Sequence, residues 1–281
     1  MPFWPKITNF TKKFTIQNYM AKVKQTKASQ IAKFLKTRLF GKDIAIKKPV
    51  SIYDLSPNSM SFVREKTFEE SLIDIINKNP SSLIICPSQL KERIKSSFII
   101  SERPYLDFSR VVKKFFNCPK PKIVIGKNCH IKPNVIIGEE GFSYQKNEKG
   151  INERVVQVGG VRIGDNVDIG SGTAIDRGIL TDTIIGANVK IDNLVHIGHN
   201  CVIGEGTVIV AGAVVGGGAV VGKNCFIGIN ASIRQRIRIG DNAFIGMGAV
   251  VVKDVPSGIT VVGNPARPLI KKNRRKNNLD L

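Results

Sequence analysis

Two residues that lie eighteen positions apart, His199 and Gly217, are the strongest candidates for chemistry in this sequence. The chain has three histidines, and His196 and His199 share one short segment, whereas Gly217 is the middle residue of a glycine triplet. A histidine that takes a proton from an amine, beside a backbone N–H that stabilises a tetrahedral oxyanion, is the pair that acyl transfer requires. The spacing therefore predicts a transferase site if the fold brings the two residues together.

Two other interpretations of these histidines are open at this point. In the first interpretation, both histidines are exposed turn residues without a role. In the second they bind zinc, but the third histidine, His130, lies about four coils away in a stacked-coil fold, too far for one site within a chain. A ligand from another subunit would be needed, so no bound metal is expected. Asp192 is a candidate acid for the site, and its contact with His199 depends on the turn between them.

The geometry of the site follows from a repeat of six residues. An aliphatic residue stands at every sixth position from Ile185 to Val251. The same phase occurs upstream at Ile125, Ile131, Ile137, Ile163, Ile169 and Ile175. This period is typical of a parallel β-helix, in which three short strands form one coil and coils stack. Residues eighteen apart then lie about 4.8 Å from each other, the spacing of paired strands, so His199 is predicted to stack on Gly217.

Corners and interruptions of the repeat can also be located in the sequence. Gly and Asn tolerate positive φ, which a sharp corner needs. They recur as Gly-x-Asn at 126–128, 164–166, 186–188, 222–224 and 240–242. The phase breaks in a polar stretch from Ser143 to Gly160, and again between Ile175 and Ile185, which are ten residues apart instead of twelve. Because insertions in a solenoid form loops on one face, often the binding face, these breaks are expected near the site.

The region before the repeat is predicted to be a small α/β domain. Spacing of apolar residues predicts helices at 28–35, 68–76 and 105–116 and strands at 61–63 and 82–86. The predicted fold class is mainly β, a parallel β-helix preceded by this α/β domain. The predicted segments are a basic extension, the small α/β domain, the β-helix domain and a carboxyl-terminal loop with a basic tail, at 1–27, 28–118, 119–252 and 253–281.

Composition limits the class of protein. The 281 residues are 42% hydrophobic and 23% charged, as in soluble globular proteins. No apolar run is long enough to span a membrane, and five cysteines without a metal or disulfide spacing suit the cytoplasm, which is the predicted location. The net charge of +21 would suit an anionic partner. No nucleic-acid-binding motif accompanies it, so neither nucleic-acid binding nor membrane contact is expected.

Several segments resemble one enzyme family. They are Gly141-Phe142-Ser143-Tyr144, Ile175-Asp176-Arg177-Gly178, Ile191-Asp192-Asn193 and His199-Asn200, with Ser59-Met60-Ser61-Phe62-Val63 and Pro104-Tyr105-Leu106-Asp107-Phe108 in the first domain. In this order and spacing the chain, from about Ser29 to Val221, resembles the UDP-3-O-acylglucosamine N-acyltransferases of lipid A synthesis. The resemblance implies a left-handed helix, a homotrimer and active sites between neighbouring subunits.

The resemblance also implies roles for single residues. His199 matches the catalytic base, Asp192 an acidic residue of the site, Gly217 the oxyanion glycine and Phe62 the aromatic ring that stacks on uracil. The expected substrate-binding residues are Phe62, Phe68, Asp176, Asn193 and His196. The chain departs from the family at Glu65 and Phe68, where the family has Asn and Tyr, at Arg236, which replaces a second histidine, and in lacking several early coils.

The carboxyl-terminal end resembles a different group with the same architecture. Val262-Gly263-Asn264-Pro265-Ala266-Arg267 is similar to the end of acetyl-CoA-dependent sugar acetyltransferases. The expected donor-binding residues are Arg236, Gly263, Asn264, Arg267 and Lys271. A basic residue near the donor favours the phosphates of coenzyme A, although a basic tail would also attract an acidic carrier protein.

The sequence thus predicts an N-acyltransferase that moves an acyl group from a thioester to the amine of a nucleotide-linked amino sugar. No permanently bound cofactor is expected, and the co-substrate is acyl-CoA or acyl carrier protein, with a short acyl-CoA preferred. The alternatives are the lipid A enzyme with acyl carrier protein and a non-catalytic trimeric scaffold.

Overall fold

The six-residue repeat forms the interior of a three-sided prism in the computed structural model, which describes residues 25–64, 69–116 and 121–269. The repeated aliphatic residues from Ile185 to Val251 each expose 3% or less of their surface. They pack into one continuous core along the axis. The prism is a left-handed parallel β-helix, and the predicted fold class, mainly β with a small α/β domain in front, is confirmed.

Three parallel sheets form the faces of the prism. The first face contains Ile123–Ile125, Val161–Ile163, Thr183–Ile185, Val202–Ile203, Val220–Val221 and Arg238–Ile239. The second contains His130–Ile131, Asp168–Ile169, Lys190–Ile191, Val208–Ile209, Phe226–Ile227, Phe244–Ile245, Thr260–Val262 and, antiparallel at its edge, Arg267–Pro268. The third contains Ile136–Ile137, Ala174–Ile175, His196–Ile197, Val214–Val215, Ser232–Ile233 and Val250–Val251.

The corners have the predicted backbone conformation. The asparagines of the Gly-x-Asn tripeptides, Asn128, Asn166, Asn188, Asn224 and Asn242, have φ between 51° and 60°. At one end of the helix, however, the repeat does not bury its aliphatic residues. Ile125 and Ile131 are 44% and 40% exposed, because they belong to the first coil and have a neighbouring coil on one side only.

Both breaks in the repeat are insertions at corners. Ile125 pairs with Ile163, 38 positions later, and Ile163 pairs with Ile185, 22 positions later, before the regular spacing of 18 begins. The first insertion contains an antiparallel hairpin with strands Tyr144–Lys146 and Asn152–Arg154. The second is a short loop that ends near Asp182, whose carboxylate accepts a hydrogen bond from the amide of Gly160.

The α/β domain is built on a five-stranded sheet with the spatial order Leu39–Phe40, Ser97–Ile100, Leu83–Cys86, Ser59–Phe62 and Lys48–Pro49. All neighbours pair in parallel except the first two strands. Strands Thr26–Lys27 and Ala45–Ile46 form a small antiparallel pair, and Ile52–Asp54 and Ser88–Leu90 are 3₁₀ turns. The predicted strands at 61–63 and 82–86 are therefore confirmed to within two residues.

Three helices cover this sheet: α1, Ala28–Phe34; α2, Glu70–Asn77; and α3, Pro104–Phe115. Helix α3 has Pro104 in its first turn, where the missing N–H costs nothing. Helices α1 and α3 pack on one face of the sheet and α2 on the other. The predicted helices agree with these bounds, except that the predicted start of α2 at Phe68 lies outside the described residues. None of the helices described here has the length and apolar character of a membrane span.

Candidate active site

The imidazole of His199 lies against Gly217, as the spacing predicts. Strands His196–Ile197 and Val214–Val215 pair in register, so the corners that follow them stack. A methyl group built on Gly217 would lie 2.8 Å from Nε2 of His199 and 2.9 Å from its Cε1. The ring therefore occupies the space that a side chain at position 217 would need, and glycine is required there.

Asn200 determines which nitrogen of His199 carries the proton. Its Oδ1 accepts a hydrogen bond from the backbone N–H of Ile179 at 3.0 Å, and its Nδ2 donates to the carbonyl of Thr181 at 2.9 Å. These contacts fix the orientation of the amide, so Oδ1 is also the atom that faces Nδ1 of His199, at 3.2 Å. An acceptor at this position places the proton on Nδ1 and leaves the lone pair on Nε2, next to Gly217.

The surroundings of His199 favour its neutral form. Burial lowers the pKa of the imidazole, and the hydrogen bond to Asn200 and the negative charge of Asp176 oppose this effect. The guanidinium groups of Arg236 and Arg64 lower the pKa further. A neutral imidazole with a free Nε2 is the state in which a general base accepts a proton.

A backbone donor lies next to this base. The N–H of Gly217 has no acceptor among the residues that the structure describes, whereas the amides on either side, of Gly216 and Gly218, bind the carbonyls of Ile233 and His199. Gly218 has φ of 71°, a conformation that favours glycine. The corner thus presents one unused N–H beside Nε2, which is the arrangement that an oxyanion requires.

These groups open into a cleft of about 340 Å³. The cleft is lined by Glu140, Gly141, Phe142, Tyr144, Arg154, Asp176, His196, Gly198, His199, Gly217 and Gln235. One wall comes from four successive coils of the prism and the other from the first insertion. The first insertion lies beside the histidines, as expected from the sequence. An insertion on one face of a solenoid and several polar groups that converge in a cleft are typical of a binding site.

The carboxylate in the cleft is that of Asp176. Its Oδ2 lies 3.6 Å from Nε2 of His196. Burial raises the pKa of Asp176, and the two histidines oppose the shift. Gly141 packs so closely over this carboxylate that a side chain at position 141 would overlap it. The backbone of Gly141 is held by the buried amide of Gln157, which both accepts from its N–H and donates to its carbonyl.

We expect Asp176→Asn to shift the pH dependence of activity. The negative charge of Asp176 raises the pKa of His199, so its removal should move the acidic limb of kcat/KM, which reports the free enzyme, to lower pH. The limb should already lie below pH 6.5 in the wild type, because burial lowers the pKa of His199 from that value. A pH–rate profile and an NMR titration of His199 measure the shift, and a shift to higher pH would contradict this assignment.

The same substitution should raise stability. Because the folded-state pKa of Asp176 is raised, mainly by burial, its contribution to stability is lost as pH rises through that pKa. At neutral pH the asparagine variant should therefore unfold at a higher temperature than the wild type, whereas below pH 3 the two should be similar.

The hairpin wall carries its own charge network. Nη2 of Arg154 donates to the hydroxyl of Tyr144 at 2.7 Å, and its Nη1 lies 3.6 Å from Glu140. Glu140 also accepts from the buried Arg177. The partly exposed guanidinium of Arg154 therefore lines the same cleft as His199.

The structure places Asp192 and Asn193 at a neighbouring corner. The carboxylate of Asp192 accepts from the amides of Asn193, at 2.7 Å, and Ala211, at 3.2 Å. The side chain of Asn193 accepts from the amide of Ser171 at 2.8 Å. Asp192 thus makes its hydrogen bonds within that corner, and the acid beside the histidines is Asp176.

The other predicted residues lie around the cleft or beyond it. Phe62 stacks on Tyr105 with ring centroids 5.0 Å apart, and the guanidinium of Arg64 lies 4.5 Å above the Tyr105 ring. Arg236 is at the corner after Gly217 and donates its N–H to that residue's carbonyl. Gly263 and Asn264 lie in the exposed turn after strand Thr260–Val262, and Arg267 begins the antiparallel edge strand that follows. Phe68 and Lys271 lie outside the described residues.

Some functional candidates were not found from the sequence. Arg154, Glu140 and Gln157 lie in an insertion without periodicity, so no pattern in the sequence predicted which way their side chains point. The described residues contain no group of three or more His, Cys, Asp and Glu side chains placed to hold a metal. His130 lies on a different face of the prism from His196. It lies two coils before His196 instead of the expected four, because the two insertions lengthen the first coils.

Comparison with known proteins supports the repeat and the family resemblance. Residues 182–217 and 218–253 match the bacterial transferase hexapeptide (six repeats) model, and residues 153–177 match the hexapeptide repeat of succinyl-transferase. UDP-3-O-acylglucosamine N-acyltransferase of Ectopseudomonas mendocina is 52% identical over 71 residues, 25% of this chain and 20% of that protein. The Rhizobium meliloti protein of the same name is 44% identical over 146 residues, 52% of this chain and 41% of that protein.

The aligned part of this chain thus spans less than half the length of these two relatives. Among solved structures, a UDP-N-acetylglucosamine O-acyltransferase from Moraxella catarrhalis is 30% identical, with a TM-score of 0.46, over 53% of this chain and 56% of that chain.

Proposed function

We propose that this protein is an N-acyltransferase that acts on a UDP-linked amino sugar, with UDP-3-O-acylglucosamine as the substrate. One observation carries the proposal: Nε2 of His199, left unprotonated by the contact of Nδ1 with Asn200, lies against Gly217 and its unused N–H. The names of the relatives support the choice of sugar. A trimeric scaffold without activity would not need a base and an oxyanion donor in contact.

The reaction follows from this geometry. The sugar amine attacks the thioester carbon while Nε2 of His199 accepts a proton from the attacking nitrogen. The carbonyl oxygen gains the negative charge and accepts a hydrogen bond from the N–H of Gly217. The carbon–sulfur bond then breaks, and the thiolate takes the proton from the imidazolium, which gives the amide and a free thiol and restores the base.

The proposed donor is a thioester whose acyl group is carried by coenzyme A. The corners of Gly198, Gly217 and Gln235 form a row along the axis towards the turn at Gly263, which accepts a hydrogen bond from the amide of Val250. A pantetheine arm along this row would bring its phosphate end to Arg267, which supports a short acyl-CoA. Acyl carrier protein, implied by the lipid A resemblance, is the second candidate.

Rates measured side by side test the function and the donor. Thiol release is followed with acetyl-CoA and with hydroxyacyl carrier protein, each on UDP-3-O-acylglucosamine and on UDP-linked amino sugars without the acyl chain. Turnover with acetyl-CoA supports the proposed donor, and turnover with carrier protein alone overturns it but keeps the lipid A assignment. No thiol release with any pair would contradict the proposed function.

For the nucleotide, we expect Phe62→Ala to weaken binding of the sugar nucleotide. A ring that stacks on a base contributes about 1–3 kcal/mol, which is about 5- to 150-fold in KM. The thioester KM should hardly change. Phe40→Ala is the matched control, because Phe40 stacks on Phe98, on another part of the same sheet. An effect on the thioester KM instead would show that this domain does not bind the nucleotide.

A homotrimer is the proposed assembly. The described chain exposes apolar side chains in the cleft and along the prism, including Phe142, Leu194 and Val214, which are 89%, 70% and 42% exposed. In a closed trimer, the same pair of apolar surface patches would be buried at each of the three interfaces. We expect light scattering at micromolar concentration to give a mass of about three times 30.8 kDa. A monomer alone would contradict the assembly.

A further inference from the structure

The hairpin that forms one wall of the cleft has two different faces. Tyr144 pairs directly with Arg154, and Gln145 pairs with Glu153. Successive side chains of a strand point to opposite faces. Tyr144 and Arg154 line the cleft, so Glu153 points away from it, towards helix α3.

Helix α3 holds this outer face by ionic contacts centred on Arg110. The guanidinium donates to both oxygens of Glu153, at 3.0 Å and 2.7 Å, and to both oxygens of Glu148, at 2.8 Å and 3.0 Å. Glu148 lies in the hairpin turn and Glu153 in its second strand. One side chain therefore fixes the hairpin at two points, and forked guanidinium–carboxylate pairs are among the most directional polar contacts in proteins.

Two further contacts from the same helix flank Arg110. The hydroxyl of Ser109 accepts from the amide of Val156 at 2.9 Å, and the hydroxyl of Tyr105 lies 3.3 Å from that of Ser143. These contacts lie at the two ends of the insertion, before and after the hairpin strands. Tyr105 also stacks on Phe62, so the α/β domain and the cleft wall share one junction.

The charges at this junction persist over the working pH range. The hydrogen bonds from Arg110 lower the pKa of Glu148 to about 2 and also lower the pKa of Glu153. Both carboxylates therefore remain ionised well below neutral pH.

We propose that Arg110 is a positioning residue, which holds the hairpin so that Tyr144 and Arg154 form the substrate-binding wall of the cleft. This role rests on the proposed function for the identity of the substrate, but the attachment of the hairpin to α3 does not. Arg110 acts through the hairpin and lies on the side of it that faces away from the base. His199, Asn200 and Gly217 belong to coils that Arg110 does not contact through any hydrogen bond or ion pair among the described residues.

Arg110→Ala should therefore separate binding from chemistry. We expect a KM for UDP-3-O-acylglucosamine about 10-fold higher, equivalent to about 1.4 kcal/mol, and a kcat within about 3-fold of the wild type. Hydrogen exchange of the hairpin amides, residues 144–154, should become at least about 10-fold faster, since local opening costs less without the anchor. Arg110→Lys keeps the charge but loses the fork, so intermediate values are expected.

The matched control is Arg93→Ala. Arg93 also pairs with a carboxylate of the α/β domain, that of Glu70 in α2, but it does not touch the hairpin. The Arg93→Ala variant should have the same KM and the same rate of amide hydrogen exchange at residues 144–154 as the wild type. The double variant Arg110→Glu/Glu153→Arg reverses the ion pair. Compared with Arg110→Ala, it should regain part of the protection of the hairpin amides from exchange and part of the affinity for the sugar nucleotide.

Two readouts separate failure of this inference from failure of the proposed function. Hydrogen exchange that is unchanged in Arg110→Ala and Arg110→Lys overturns the attachment. Faster exchange with an unchanged KM, or a fall in kcat alone, overturns the role in binding. If wild-type protein turns over no UDP-linked amino sugar, the proposed function fails and with it the role in binding, while hydrogen exchange still decides the attachment.

Discussion

Replacement of His199 by alanine is expected to lower turnover by about 10²–10⁴-fold, the usual contribution of one general base. No other imidazole in the described chain lies against the unused N–H of Gly217. Substrate binding should be retained, because His199 is not among the residues expected to bind the nucleotide and sugar. Steady-state kinetics with saturating thioester and light scattering on the same sample measure the two properties.

Two other histidines provide controls for this variant. His130 lies on another face of the prism, so His130→Ala should be as active as the wild type. His196 contacts Asp176 and not Gly217, so His196→Ala should be mild. Near-normal turnover of His199→Ala would reject the base, and an equally large loss in His196→Ala would move the assignment to that ring.

Gly217→Ala should be the second large effect, with a loss of about 10²–10³-fold, the scale for removal of one oxyanion donor. The added methyl group would lie 2.8 Å from Nε2 of His199, so the ring must move away from the place where it accepts the proton. The same methyl group narrows access to the N–H. We expect kcat to fall more than KM rises, since both interactions strengthen in the transition state.

A double variant distinguishes these causes. In His199→Ala/Gly217→Ala the ring is absent, and the methyl group has room. If Gly217→Ala acts mainly by moving the ring, the double variant should be no slower than His199→Ala and as stable as it. A further loss of about tenfold or more would show an independent effect on the oxyanion donor. Wild-type kinetics in Gly217→Ala would contradict the contact itself.

The sequence alone determined the fold of the β-helix and the central pair of the site. A strict six-residue period leaves one way to bury its aliphatic residues, and eighteen residues then complete one coil. This is why the contact between His199 and Gly217 was predictable from spacing. The helices of the first domain were also predictable, because Ile31, Ile73 and Ile76 follow a helical period and are buried.

Only the tertiary structure decided what the interruptions of the repeat do. The sequence located a break between Ile175 and Ile185. Because the residues of this break follow no period, the local sequence did not predict where its loop would lie. In the fold its loop brings Ile179 and Thr181 to Asn200 and thereby sets the tautomer of His199. The hairpin likewise depends on Arg110, whose partners lie 38 and 43 positions away.

The choice between two acids shows the same limit. Asp192 is closer to His199 in sequence than Asp176, yet its carboxylate binds the amides of its own corner. Asp176 lies one coil away from His196, where Ala174 pairs with His196 in register, and its carboxylate lies beneath Gly141. Period fixes which residues stack, but the direction of a corner side chain depends on the amides around it, and those amides are assembled only when the coils are in place.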